Sequence, residues 1–113
     1  MSDMRTHVRI DIIANNEALV EFVVTHGTGI HARPAVMFTK LARSFPCVIE
    51  LEVDGSGIWL NAKSIVKVLA ARIRKGSTLK IVARGVRADE AVHALCMLVE
   101  GSFGEGMSHA GSG

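Results

Sequence analysis

Apolar residues recur at every second position in four stretches of this chain and at every third or fourth position in three others, and the order of these stretches constrains the fold more than any other feature. Val20, Phe22 and Val24 alternate with Leu19, Glu21 and Val23, which predicts a strand running into the turn Thr25-His26-Gly27-Thr28-Gly29. Helical spacing follows at Ala35, Phe38, Leu41, Ala42 and Phe45, so a helix is expected from about Ala32 to Ser44, with Pro46 stopping it. Ile49, Leu51 and Val53 alternate with Val48, Glu50 and Glu52 in a strand with one wet face, and Asp54-Gly55-Ser56-Gly57 turns it into Ile58-Trp59-Leu60 as a hairpin. A short helix from Ser64 carries Ile65, Val68, Leu69 and Ile73; a strand carries Leu79, Ile81 and Ala83; a last helix runs from Asp89 to about Val99. The order strand, helix, strand, strand, helix, strand, helix predicts an α+β, open-faced two-layer sandwich, a four-stranded antiparallel sheet with three helices on one face.

Two segments flank this core. Residues 1–18 form an N-terminal extension in which Val8-Arg9-Ile10-Asp11-Ile12 alternates like an added edge strand, turned through Asn15-Asn16 onto the Leu19 strand. Residues 19–101 form the domain, and residues 102–113 read as a Gly- and Ser-rich tail. At 113 residues the chain suits one core and is too short for two. Thirteen Lys and Arg against eleven Asp and Glu give a net charge of +2, too mild to predict nucleic-acid binding. No apolar run reaches the length of a membrane span and no signal-like segment opens the chain, so a cytoplasmic protein without membrane insertion is expected. Cys47 and Cys96 have no CxxC spacing and read as reduced thiols.

The chemistry concentrates at the first helix start. Its exposed N–H groups and partial positive charge normally recruit Ser, Thr, Asp or Asn, yet the sequence offers His31 and Arg33, with Pro34 at a position where its missing N–H breaks no helical bond. The residues alone leave two readings open: a capping imidazole beside a solvated guanidinium, or a site awaiting an anion. A phosphoryl group on a neutral His31 imidazole would satisfy the site, and helix-end stabilisation of about 0.3–2 kcal/mol would favour such an adduct without trapping it. Structural zinc is disfavoured, because His26 and His31 have no third ligand nearby.

The run Gly29-Ile30-His31-Ala32-Arg33-Pro34-Ala35 resembles the active-site signature of HPr, the histidine-containing phosphocarrier of the bacterial phosphoenolpyruvate:sugar phosphotransferase system. Leu60-Asn61-Ala62-Lys63-Ser64-Ile65 is similar to the second signature of that family, and the two occur in the family's order. The resemblance implies that His31 accepts a phosphoryl group on Nδ1 from phosphorylated enzyme I and passes it to an enzyme IIA. It also implies that Ala32 and Arg33 bind the phosphoryl group, and that the chain is a carrier rather than a self-sufficient enzyme, needing no cofactor or metal. Ser64, placed as an N-cap, is the implied target of the HPr kinase/phosphorylase. Thr28, Pro34, Ile65, Val66 and Leu69 are the expected partner face, with Val66 off the helix stripe and with Arg33, Lys63, Lys67 and Arg72 around it.

The chain departs from the family pattern at Arg72, where a glycine is usual, and this predicts a second helix running on to about Arg74 before Gly76 ends it. The Asp54 to Gly57 turn is longer than usual, and the N-terminal extension is additional. A mainly regulatory HPr-like protein, including one in a nitrogen-type phosphotransferase chain, is the alternative to a sugar-system carrier. A passive anion-binding module is the reading outside the family.

Overall fold

A computed structural model describes residues 9–14, 16–25 and 32–101. Among these residues five strands and three helices follow one another as β1 (Arg9–Ala14), β2 (Glu17–Val23), α1 (Ala32–Arg43), β3 (Val48–Val53), β4 (Leu60–Asn61), α2 (Ile65–Ala70), β5 (Thr78–Arg84) and α3 (Ala88–Glu100). The strands form one antiparallel sheet in the order β1-β2-β5-β3-β4. The architecture is the α+β open-faced sandwich that the periodicity predicts, extended by β1 on the free edge of β2. β2 and β5 pair over seven consecutive residues, from Glu17 opposite Arg84 to Val23 opposite Thr78, whereas β1 meets β2 with a register shift between Ile12 and Ala14.

Period-two burial divides the sheet into two faces. Ala18, Val20 and Phe22 of β2, Ile49 and Leu51 of β3, and Leu79, Ile81 and Ala83 of β5 are buried in one core cluster. Ala35, Phe38 and Ala42 of α1, Val68 of α2, and Ala91, Val92, Leu95 and Val99 of α3 complete it from the helical layer. On the other face Arg84 bonds Glu17 at 3.0 Å and Glu50 at 3.1 Å, tying three neighbouring strands together. Lys80 stands 3.6 Å from Glu52. Glu52 is buried despite its place on this polar face, because its Oε2 accepts the Gly57 N–H at 2.7 Å and so draws the long turn over it.

That turn alters the expected hairpin. β4 comprises only Leu60 and Asn61, while Ile58 and Trp59, read from sequence as part of a strand, lie outside it and are exposed. Gly85 has a structural reason to lack a side chain: its φ is +126°, and a Cβ there would come within 3.2 Å of the Cys47 Cα.

The second helix also ends differently from expectation. α2 stops at Ala70, and Arg72, at φ 52°, takes the left-handed conformation usually given to glycine. The reversal carries Ile73 into the core, where it is 3% exposed, and burial of that side chain outweighs a backbone cost of roughly 1–2 kcal/mol. Arg87, at φ 67°, makes a similar reversal before α3; its guanidinium lies 4.9 Å from the Phe45 ring centroid and pairs with Glu90.

Candidate functional site

α1 begins at Ala32 with no acidic residue in its first turn, so the amides at its start meet no carboxylate from their own helix. Arg33 is exposed on that turn. Pro34 differs from expectation: it is fully buried and therefore fixes the helix start against the core rather than facing a partner. His31 and Thr28 lie outside the described residues, as does the side chain of Ala32.

α2 packs against α1 and starts with Ser64 in an extended conformation. The Ser64 hydroxyl accepts the Lys67 N–H at 3.3 Å, the N-cap geometry that its sequence position predicts. One face of this short helix has a single buried residue, Val68. Ile65 and Leu69 are 38% and 39% exposed and Val66 is 70% exposed, so all three present apolar surface to solvent instead of completing the core. Lys63, expected among the cations around this patch, points its ammonium elsewhere and donates to the Phe45 carbonyl at 2.8 Å.

Neither cysteine offers an activated thiol. Burial pushes the Cys47 thiol up, and burial followed by the Glu100 carboxylate pushes Cys96 up to about 12. Among the described residues no cluster of His, Cys, Asp or Glu could hold a metal ion, and no helix is long and apolar enough to cross a membrane.

Residues 20–101 match the family model described as the PTS HPr component phosphorylation site. The chain is 33% identical over 97 residues to the multiphosphoryl transfer protein of Salmonella typhimurium, covering 85% of this chain and 26% of that protein. It thus spans about a quarter of the length of that relative. It is also 38% identical over 73 residues to the HPr-like protein Crh of Halalkalibacterium halodurans, covering 65% of this chain and 84% of Crh. The crystal structure of HPr-C-His from Thermoanaerobacter tengcongensis superposes with a TM-score of 0.70 at 35% identity, over 76% of this chain and 94% of that one. The chain belongs to the HPr family of phosphocarriers.

Residue type points the wrong way at Arg72, where an arginine in place of a usual glycine predicts a longer helix and the backbone keeps the left-handed turn. An arginine says nothing in sequence about a left-handed backbone, which here is set by the burial of Ile73 next to it.

Proposed function

We propose that the protein is a cytoplasmic phosphocarrier, with His31 accepting a phosphoryl group from phospho-enzyme I and delivering it to an enzyme IIA of the phosphotransferase system. The observation that carries this reading is the family match over residues 20–101, which contain the His31-Ala32-Arg33-Pro34 run at the start of α1. When His31 accepts, its neutral Nδ1 attacks phosphorus as the P–N bond to the donor histidine breaks, and the proton that the His31 ring gives up from its other nitrogen balances the proton that the departing donor ring takes up, so the donor leaves as a neutral imidazole. Arg33 and the first amides of α1 hold the phosphoryl oxygens, and the absence of acid in that turn leaves no competing carboxylate on the helix. Ile65, Val66 and Leu69 supply an apolar contact for both partners.

Ser64 serves as a regulatory phosphorylation site for an HPr kinase/phosphorylase. A phosphate there leaves the fold intact and changes the partner face, because the hydroxyl already stands at the cap of α2 beside Ile65 and Val66. The likeness to the HPr-like protein Crh supports a second, mainly regulatory reading.

Incubation with enzyme I, phosphoenolpyruvate and Mg²⁺ is the test. The expected product is an acid-labile, alkali-stable phosphate that is absent from His31→Ala, followed by transfer to an enzyme IIA. Label that persists in His31→Ala removes the site, and normal labelling without onward transfer selects the regulatory reading.

A further inference from the structure

The two edges of the sheet are unlike. β4 closes one side with only Leu60 and Asn61, too little backbone for another strand to follow. β1 closes the other with six residues, Arg9–Ala14, and among the described residues no strand pairs with its outer side. In an antiparallel ladder alternate residues turn their N–H and C=O groups away from the partner strand, so β1 carries a row of outward main-chain donors and acceptors beyond its bonds to β2. No proline interrupts it, and its register irregularity falls between Ile12 and Ala14, leaving Arg9 to Ile12 as a regular stretch.

The charges on this edge select what can pair with it. A lone charge on an edge strand deters neighbours, but Arg9 and Asp11 are opposite charges two positions apart, on one face of the strand. They favour an antiparallel strand that offers the same two charges in reverse, and β1 of a second copy does so. Symmetry then limits the register. A two-fold axis normal to the sheet keeps every residue on its own face, so two copies of β1 must pair about a residue and not between two. Pairing about Asp11 sets the two aspartates against each other. Pairing about Ile12 draws the irregular end of β1 into the contact. Pairing about Ile10 sets Ile10 against its own copy and, on either side of it, Arg9 against Asp11.

We infer that the outer edge of β1 is an interface for a second copy of this chain, paired antiparallel about Ile10, which joins the two five-stranded sheets into one continuous sheet. Within the chain Arg9 already stands opposite Glu21, so the arginine position falls between acidic positions of its own β2 and of the second copy. The arrangement also keeps the helical face free. α2 packs on β4, at the far side of the sheet from β1, so the two copies hold Ile65, Val66 and Leu69 at opposite ends, about 40 Å apart at roughly 4.8 Å per strand. The dimer is a carrier with two independent partner faces.

Sedimentation equilibrium of the full chain over a micromolar to millimolar range tests the pairing. Wild type is expected to reach twice the 12.1 kDa mass of one chain. Asp11→Arg sets like charges against each other at two symmetric positions and should weaken self-association about 10-fold or more. Arg9→Asp should do the same; it is made together with Glu21→Arg, so that opposite charges still face each other within the chain. An equimolar mixture of these two forms restores both opposite-charge pairs between copies and should associate like wild type. A wild type that stays monomeric, a dimer that neither form weakens, or a mixture that stays apart overturns the inference. No phosphoryl group enters the measurement, so any of these results leaves the phosphocarrier reading standing.

Discussion

Lys63 donates its ammonium to the carbonyl of Phe45 at 2.8 Å, so the residue before Ser64 closes the end of α1 across eighteen positions of chain. Replacement by Met leaves that partly buried carbonyl without its charged donor. Lys63→Met is expected to lose about 1–2 kcal/mol in urea unfolding, while the exposure of Val66 and Leu69 leaves partner contact intact. An unchanged urea midpoint would show that water replaces the ammonium at no cost.

The Ser64 cap gives a separate expectation. Ser64→Ala removes the acceptor for the Lys67 N–H and should cost about 0.5–1 kcal/mol. Ser64→Asp keeps an acceptor and adds negative charge at the helix start, so thermal melting should place it at or above wild type. Equal melting of the alanine and aspartate variants would contradict the role of this bond.

Arg87 separates backbone cost from side-chain gain. Arg87→Ala loses the contact with Phe45 and the pair with Glu90 while keeping a Cβ at φ 67°, and is expected to destabilise by about 1–2 kcal/mol. Arg87→Gly loses the same contacts but relaxes the backbone, and should fall short of that loss by roughly 1 kcal/mol. Chemical denaturation of the two variants side by side decides the point, and a glycine variant weaker than the alanine one would refute it.

Alkaline pH should weaken the fold through its thiols. Cys96 moves from an ordinary 9.0 to about 12 in the native protein. Above pH 9 the unfolded chain therefore releases a proton that the native chain retains, so stability is complete below pH 9 and declines as pH rises toward 12. The expected slope for this group approaches about 1.4 kcal/mol per pH unit. The chain has no tyrosine, which removes one other source of titration from this window. Urea midpoints at pH 8, 9 and 10 should fall less steeply in Cys96→Ala than in wild type; parallel lines would exclude Cys96 as the cause.

Much of the architecture is legible from the two periods of the sequence, because a residue that alternates or steps by three and four has one face to bury. Ala18, Val20 and Phe22 and the α3 stripe Val92, Leu95 and Val99 are buried as their spacing predicts. The departures share a physical cause, which is that local pattern carries no information about what a distant group does. Glu52 looks solvated until the Gly57 amide binds it, and Ile58 looks like strand until that same bond shapes the turn. Pro34 resembles a surface residue in a motif and is buried. Arg72 takes glycine's backbone because Ile73 must reach the core. The proposed phosphoryl site is legible only as a motif, since His31 and Thr28 lie outside the described residues and Arg33 is placed without them.

The pairing of β1 with β2 bears on how this fold can vary. Its register irregularity, between Ile12 and Ala14, is confined to the outermost pair, and the seven-residue ladder of β2 with β5 beside it is unbroken. Residues matched to the family begin at 20, inside β2. The flank of β2 thus acts as an annex to the sheet: a strand is added there, with its own irregular register, while the ladder beneath the helices stays regular.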